Sequence, residues 1–341
     1  MKTKRLSWTW FSAVAGAMAL ACGPVEEAPS RGEVGTAQSA VTTCGDGICN
    51  GTETRCTCST DCVDEATLVN TYAPIFKLDG AETNLPSSVE WYFARTTLRF
   101  NHDGGCPDEQ VLAPYAVTAT NLLGQTRKTH GGLPFCSSES TVINSSVKNP
   151  SDEFFFLQIP NDGNEGTTRL GDTSGASWRT YAHVRRDGAE GWEIQYWNFY
   201  PYNGLTPGEH EGDWEHVTVH LAADGVTPTS VYFAEHDGGT AYAWSAVEKS
   251  GNRVIVYVAD GSHASYPHAG TTDRSPLPND VHNGNGKVFD ALNKVVHVGD
   301  RACNFNGRTW MTYGGLWGEV GEVFSGPPSP VYQSSWSTLG H

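Results

Sequence analysis

One stretch of the sequence, residues 196–221, constrains the fold more than any other, and it reads YWNFYPYNGLTPGEHEGDWEHVTVHL. Its aromatic start, its proline and glycine centre and its alternating end predict two strands joined by a loop. Successive side chains of a strand point to opposite faces, so alternate residues of the second strand share a face. The face that we predict to be the core face carries Asp213, Glu215, Val217, Val219 and Leu221.

The opposite face of the second strand carries Trp214, His216, Thr218 and His220. Along an extended strand His216 and His220 would lie roughly 13 Å apart, which is too far for both to bind one metal ion. We therefore predict that both are surface histidines.

Two carboxylates stand at the end of the predicted core face, where Asp213 and Glu215 would lie roughly 7 Å apart. Carboxylates this close repel each other unless a proton or a cation lies between them. His210, three residues upstream, and Asn203, at the other end of the loop, can turn toward the same point. Oxygen donors with one imidazole suit Mg²⁺, Ca²⁺ or Mn²⁺ better than a structural zinc ion. We therefore predict a divalent-cation site made by these four residues.

A plainer interpretation of the same residues needs no metal. Asp213 would cap a turn, Glu215 would pair with a nearby lysine or arginine, and His210 would be solvated. The number of candidate donors in one loop and the clear strand alternation favour the metal site.

Residues 1–21 are typical of an export signal, with a basic start, an apolar run over residues 8–20 and a small-x-small cleavage site. Cys22 follows directly, so the segment also resembles a bacterial lipoprotein signal, which implies lipidation of Cys22. The apolar run is too short to cross a bilayer, and no later stretch of the sequence is long enough. We expect an exported chain, either extracellular or held at the bacterial cell envelope by a lipid on Cys22.

The formal net charge of −16 argues against binding to a nucleic-acid backbone, which requires clustered lysine and arginine. It also argues against simple electrostatic attachment to anionic lipid. The 38 glycines and 18 prolines, together with many aromatic residues, point to a turn-rich β protein.

Eight cysteines besides Cys22 are candidates for disulfides, because thiols oxidise in exported proteins. They are Cys44, Cys49, Cys56, Cys58, Cys62, Cys106, Cys136 and Cys303. The first five lie in a segment too short for a hydrophobic core, and their odd number predicts that at least one pairs with the main domain. Cys106 and Cys136 are candidates for pairing with each other. The segment, with CGDGxC followed by CxxDC, resembles a cysteine-rich module of exported myxobacterial proteins.

We predict four parts: a signal peptide (1–21), a flexible tether (22–43), the cysteine-rich module (44–63) and one large all-β domain (68–341). Strands are predicted at 72–78, 153–159, 180–185, 192–200, 230–234, 241–247 and 253–258. For residues 287–297 two interpretations stay open: one strand pair, or a helix over 290–296, which is the one segment with a helical period.

Five motifs are spread over the main domain: YAPIF (72–76), PSSVEWYF (86–93), YPYNG (200–204), HEGDWEHVTV (210–219) and GSHASYP (261–267). In order and kind they resemble the family named after vacuolar protein sorting protein 62. The resemblance covers residue 68 to the C-terminus. It implies no defined biochemical activity, and we do not transfer the sorting role to an exported protein.

Residues 209–215, EHEGDWE, are similar to the Gly-His-Arg-His-Asp-Trp-Glu heptad of the necrosis- and ethylene-inducing-like cytolysins, which follows a Pro-x-Asp. The resemblance implies an actinoporin-like β-sandwich. It also implies a divalent cation held by Asn203, His210, Asp213 and Glu215, which are the residues already selected by strand alternation.

This chain departs from the cytolysin pattern within the heptad and before it. Asn203 replaces an aspartate, Glu209 replaces the glycine and Gly212 replaces the second histidine. Residues 234–239 are similar to the later Ala-His-Gly-Gly turn of that family, with two extra residues. These departures leave a possible cation site with one charge fewer, and lytic activity does not follow from the resemblance.

Two histidines are candidates for catalysis. His236 follows a predicted strand and precedes a glycine pair, and His263 lies in the GSHASYP turn, which we expect near the metal end of the sandwich. Ser262 is adjacent to His263, so the two cannot form a charge-relay geometry, and no G-x-S-x-G elbow is present.

Three functions are compatible with these observations. The one we favour is a toxin-like or binding module in which a divalent cation organises recognition of a glycan or a lipid head group. The second is a metal-dependent hydrolase with His236 or His263 as the base. The third is a structural interaction module without metal. Of these, we favour a protein that is not an enzyme.

Overall fold

The structure, a computed structural model, describes residues 44–45, 53, 56–58, 60–62, 64–101, 107–125, 154–187, 191–236, 238–319 and 324–337. They belong to the unit Thr42–His341. The predicted signal peptide, the tether, Cys22, Cys49, Cys106 and Cys136 lie outside the described residues.

Strands dominate the part of the chain that the structure describes. The strands are β1 (Ile75–Leu78), β2 (Thr97–Asn101), β3 (Glu109–Leu112), β4 (Phe154–Gln158), β5 (Thr180–Asp187), β6 (Gly191–Asn203), β7 (His210–Ala222), β8 (Pro228–Glu235), β9 (Gly238–Ala243), β10 (Lys249–Ser250), β11 (Arg253–Val258), β12 (Ser265–Tyr266), β13 (Gly270–Thr272), β14 (Asp280–His282), β15 (Val288–Asp290) and β16 (Val295–His297).

The helices are short. They are α1 (Glu65–Thr71), α2 (Val89–Phe93), α3 (Glu165–Arg169) and α4 (Ser334–Ser337), with 3₁₀ turns at Asn304–Gly307, Thr309–Thr312 and Pro330–Tyr332. Ser88 precedes α2 and caps its first turn, because its hydroxyl accepts a hydrogen bond from the Trp91 amide at 3.1 Å. No described helix is long and apolar enough to span a membrane.

A six-stranded sheet in the order β16-β5-β6-β7-β8-β9 forms the centre of the fold. Strands β5 to β9 are antiparallel neighbours, whereas β16 pairs parallel with β5. A second sheet has the order β10-β11-β1-β15, with β12 beside β11. Two smaller sheets, β3-β2-β4 and β13-β14, complete the arrangement.

The first hydrophobic core lies between the central sheet and the second sheet. Val217, Val219 and Leu221 of β7 belong to the same buried cluster as Phe76 of β1 and Val256 of β11. The face of β7 that we predicted to be the core face is therefore buried. The predicted fold class, a mostly-β sandwich preceded by a disulfide-containing segment, is confirmed.

The second hydrophobic core covers the opposite face of the central sheet. Trp197 of β6 and Trp214 of β7 pack with Phe155 of β4, Trp310 and Trp317 in one buried cluster. The period of two had suggested one covered face, but segments distant in the sequence cover the other face as well.

The prediction that His216 and His220 are surface histidines is wrong because of this second core. His216 is 6% exposed and its ring lies 4.3 Å from that of Trp197. The His220 side chain is 14% exposed, and its Nδ1 lies 3.4 Å from the buried Glu193 carboxylate. Burial lowers the pKa of His216 to about 4, so its imidazole is neutral at physiological pH.

The helical period predicted at 290–296 is also wrong. β15 ends at Asp290 and β16 begins at Val295, and the Lys294 amide donates to the Ala291 carbonyl at 2.8 Å in a turn between them. Pairing of β15 with β1 and of β16 with β5 places the two halves of this segment in different sheets.

Disulfides hold the N-terminal segment. Cys44 pairs with Cys58, Cys56 pairs with Cys303, and Cys62 is also disulfide-bonded. The Cys56–Cys303 bond is the link between the module and the main domain that the odd number of cysteines predicted.

Candidate functional site

The site lies where the β6–β7 hairpin ends. In the register of the hairpin, Asn203 pairs with His210, Tyr200 with Asp213 and Asn198 with Glu215. Gly212 has φ +67°, and a Cβ there would lie 2.2 Å from the Trp317 carbonyl oxygen. The backbone path between His210 and Asp213 thus requires glycine, where the cytolysin heptad has histidine.

One open cavity of about 560 Å³ contains the whole predicted ligand set. Asn203, His210, Asp213 and Glu215 all line it, and so does His236. Arg274 lines it as well, and the apolar lining residues are Leu205, Pro207, Leu277, Pro278, Phe324 and Pro327. The cavity lining therefore combines polar and acidic side chains with apolar ones.

The donor atoms of this set are spread out rather than gathered into a closed cage. Within the described residues, His, Cys, Asp and Glu donors come within 4.8 Å of one another in a group of three or more only at Cys44, Cys58 and Asp61. That group is not a metal site, because the two cysteines form a disulfide. A cation would have to draw the side chains at the β6–β7 site together.

Two observations show that the predicted ligands fit a cation chemically. His210 Nδ1 is buried and has no hydrogen-bond partner among the described residues. This nitrogen is therefore available to coordinate a cation through its lone pair, or to donate a hydrogen bond if it is protonated. Burial raises the pKa of Glu215 well above its usual range, and the charge of Asp213 raises it further. A positive ion between these groups would remove both penalties.

Asn203 is oriented differently from a metal ligand. Its Nδ2 donates to Asp213 Oδ2 at 3.2 Å, and its Oδ1 accepts from the Leu205 amide at 3.1 Å. The amide would have to rotate to offer its oxygen to a cation. The hydrogen bonds that the described residues donate to Asp213 both fall on Oδ2, which leaves Oδ1 toward other partners.

His263 lies behind Asp213, stacked on Tyr200 with ring centroids 3.7 Å apart, and is 1% exposed. Its Nδ1 donates to Asp213 Oδ2 at 2.7 Å. Its Nε2 lies 3.1 Å from the Asn84 carbonyl and 3.4 Å from Glu82 Oε2. Both ring nitrogens are thus engaged, and the residue positions Asp213.

The charge of His263 follows from these contacts. Burial alone would lower the pKa of His263, but the carboxylates of Glu82 and Asp213 outweigh it and raise the pKa to about 10. The ring is therefore an imidazolium at neutral pH. Glu82 also accepts from the Gly261 amide at 2.8 Å, which holds the turn that carries His263.

His236 lies on the cavity wall in a left-handed backbone conformation, with φ +57°. Its Nε2 lies 2.6 Å from Asp280 Oδ2. Asp280 is fully buried and also accepts from the Ser262 hydroxyl at 3.0 Å and the Tyr266 hydroxyl at 2.5 Å. Burial would raise the pKa of Asp280, but the hydrogen bonds from His236 and Tyr266 lower it overall, so Asp280 is a carboxylate.

Three residues at this site were missing from the sequence-based set: Glu82, Asp280 and Arg274. Asp280 and Arg274 lie in and before β14, and Glu82 follows β1. No local pattern marked them. Glu82 reaches His263 because β1 pairs parallel with β11, whereas Asp280 and Arg274 belong to the β13–β14 hairpin, which meets the site where Asp280 contacts His236.

The family comparison matches a model described as vacuolar protein sorting-associated protein 62 over residues 137–320. The putative vacuolar protein sorting-associated protein TDA6 of Saccharomyces cerevisiae is 24% identical over 313 residues, or 79% of this chain and 63% of that protein. Vacuolar protein sorting-associated protein 62 of the same yeast is 27% identical over 244 residues, or 53% of this chain and 52% of that protein. The chain thus spans between half and two thirds of the length of these relatives.

Similar solved structures include one described as "NLPPya in complex with mannosamine", at 13% identity and a TM-score of 0.33, covering 68% of this chain and 72% of that one. Another is described as "Toxin fold for microbial attack and plant defense", with the same identity and TM-score, covering 68% of this chain and 73% of that one.

Proposed function

This chain belongs to the vacuolar protein sorting-associated protein 62 family, and since that membership names no reaction, we propose its function from the site itself. We propose that the protein is a binding module in which a divalent cation at the β6–β7 site organises recognition of a glycan. The proposal covers both a free glycan and the glycan head group of a lipid, since the same hydroxyl chemistry occurs in both.

The observation that carries the proposal is the composition of the cavity. Its volume of about 560 Å³ suits a ligand of one or two sugar rings. Sugar hydroxyls are oxygen ligands that Ca²⁺ and related hard cations accept. The apolar faces of sugar rings suit walls such as Leu277 and Phe324, which are 50% and 53% exposed.

His210, Asp213 and Glu215 would hold the cation directly, and Asn203 would join them after rotation of its amide. When bound, the cation would supply positive charge and open coordination positions for ligand oxygens. His263 keeps Asp213 in place and offsets part of the negative charge of the site.

The histidines favour binding over catalysis. Both nitrogens of His263 are occupied, so it has no free position from which to accept a proton from a substrate. One observation supports the second candidate, a metal-dependent hydrolase: His236 lines the cavity and is oriented by the Asp280 carboxylate, as a general base would be. Turnover of a bound glycoside that is lost in His236→Ala but retained in His263→Gln would favour the hydrolase.

The test is cation-dependent stability of the full chain. We expect Ca²⁺, Mg²⁺ or Mn²⁺ to raise the melting temperature of the wild type, because a ligand that binds only the folded state stabilises it. Asp213→Asn should lose this response. Glu90→Gln, which changes an exposed carboxylate of α2, is the matched control and should keep it.

Binding of sugars to the same proteins then separates the alternatives. Calorimetry with a monosaccharide panel should show binding in the cation-loaded wild type and none after chelation. If no cation shifts the melting temperature of either the wild type or the control, the metal site and the glycan-binding proposal both fail, and the structural interaction module remains.

We also propose that the protein is exported and lipidated at Cys22. The disulfides of the N-terminal segment support an oxidising compartment. Metabolic labelling with a radioactive fatty acid should mark the wild type and not Cys22→Ser. Release of unlabelled wild-type protein into the medium would instead indicate ordinary secretion.

A further inference from the structure

We infer that the ligand of the β6–β7 cavity carries an anionic group, a carboxylate or a phosphate on a sugar, and that Arg274 binds that group. The inference rests on the proposed function, because it concerns the same cavity and names the class of glycan that fits it. It adds a specificity residue that the sequence motifs do not mark.

Arg274 places a guanidinium in the cavity without giving it hydrogen-bond partners there. Its side chain is 18% exposed and lines the cavity. Its Nη1 is buried and has no hydrogen-bond partner among the described residues. A guanidinium has five N–H donors, and a buried donor that stays unpaired is destabilising.

The nearest carboxylate does not fill this role. Asp280 Oδ1 lies 3.5 Å from Nη1 of Arg274, close enough for charge attraction but without hydrogen-bond geometry. Asp280 is already satisfied by His236, Ser262 and Tyr266. Asp280 therefore holds the guanidinium near the cavity and leaves its donors available.

Arg274 also differs from an arginine with a structural role. Arg253 donates its Nε to the Ala73 carbonyl at 2.8 Å and forms an ion pair with Asp290, which ties β11 to its neighbours. Each polar end of that side chain has a protein partner.

The loop that carries Arg274 is held without the guanidinium. The Arg274 amide donates to Asn279 Oδ1 at 3.2 Å, and the Ser275 amide donates to Asp273 Oδ1 at 3.0 Å. The Leu277 amide donates to the Arg274 carbonyl at 2.9 Å. These bonds use backbone and short side chains, so the guanidinium is free to serve a ligand.

Charge explains why the ligand group should be an anion. Arg274 is the one lysine or arginine among the described residues that line the cavity. With a divalent cation bound in the same cavity, two positive centres would attract an anionic substituent. Guanidinium groups bind carboxylate and phosphate oxygens in pairs, which gives both strength and orientation. A neutral sugar would leave the buried Nη1 unpaired.

The experiment is calorimetry on the full chain with saturating Ca²⁺ and three sugars: glucose, glucuronate and glucose 6-phosphate. In the wild type we expect the acidic sugars to bind about 10-fold or more tightly than glucose, as a charge-assisted hydrogen bond would give. The two acidic sugars distinguish a carboxylate from a phosphate. Arg274→Gln should remove the preference for the two acidic sugars over glucose.

The control is Arg301→Gln, an exposed arginine that does not line the cavity, and it should retain the preference. The melting temperature with and without Ca²⁺ is measured for every variant.

If Ca²⁺ stabilises the protein and glucose binds as tightly as glucuronate, the anion assignment is wrong and the proposal of a cation-dependent binding site stands. A preference that survives in Arg274→Gln also overturns the assignment, because the cation alone would then carry it. If Ca²⁺ has no effect and no sugar binds, both proposals fail.

Discussion

Two buried histidines contact opposite faces of the β6–β7 hairpin, and their surroundings give them opposite charge states. His263 stacks on Tyr200 on the side of the first core, and the nearby carboxylates raise its pKa to about 10. His216 packs between Trp197 and Tyr232 on the side of the second core, and burial lowers its pKa to about 4. Burial is similar in the two cases, so the neighbouring carboxylates decide which ring carries a proton.

The largest expected effect is the loss of the charged ring. His263→Phe keeps an aromatic ring against Tyr200 but leaves Asp213 and Glu82 as buried carboxylates without a cationic partner. We expect the free energy of unfolding to fall by about 3–5 kcal/mol, measured by urea denaturation in the absence of divalent cations.

A second substitution sharpens this test. Glu82→Gln removes one of the two buried carboxylates that lose their cationic partner in His263→Phe. The double variant His263→Phe/Glu82→Gln should therefore lose less stability than the sum of the losses in the two single variants. Additive losses would mean that the histidine contributes packing rather than charge.

The next effect is a loss of stability at alkaline pH. The folded pKa of His263 is about 10, above its ordinary value of 6.5, so the folded state holds a proton that the unfolded state releases. The contribution of the His263 proton to the free energy of unfolding is complete below pH 6.5 and is lost as the pH rises through about 10. The free energy should fall by at most about 1.4 kcal/mol per pH unit over this range. The stability difference between wild type and His263→Phe, followed from pH 6 to pH 10 with a chelator, should shrink. A constant difference would contradict the charged state.

The smallest effect is expected at His216, and it has the opposite sign on the pH axis. The folded pKa of about 4 lies below the ordinary 6.5, so between these values the unfolded state binds a proton that the folded state does not. Stability should therefore fall as the pH decreases from 6.5 to 4. His216→Phe should change the free energy of unfolding at pH 7 by less than about 1.5 kcal/mol. It should also reduce the loss of stability between pH 6.5 and pH 4, which we call the acid limb.

The acid limb should not disappear completely in that variant. His183, stacked on Trp336 in the same second core, has a pKa lowered to about 3 by burial and contributes to the same region. If His216→Phe has the same acid limb as the wild type, the His216 ring is not buried as a neutral group.

The part of the site that the sequence predicted is the part encoded in one hairpin. Strand alternation placed Asp213 and Glu215 beside Val217, and loop length brought Asn203 and His210 to the same end. The structure lines one cavity with these four residues, while their binding of a cation stays a prediction. The family membership suggested by the five motifs is confirmed.

The rest depends on contacts between distant segments. Glu82 reaches His263 because β1 pairs parallel with β11, and no short-range pattern reports such a pairing. We predicted His216 to be exposed because the sequence of β7 alternates with a period of two. This period shows that the two faces of the strand differ, but it does not show that one of them is exposed to solvent. The aromatic cover of the second face comes from Phe155, Trp310 and Trp317, far from β7 in the sequence.

The bond between Cys56 and Cys303 has a mechanical consequence. The two cysteines are 247 positions apart, and all strands from β1 to β16 lie between them. If tension is applied to the chain at a point before Cys56 and a point after Cys303, the disulfide bond bears the force between these two residues and the sheets do not. The sixteen described strands and the first core therefore lie inside a covalent loop that tension along the chain does not extend, and so do Asn203, His210, Asp213 and Glu215.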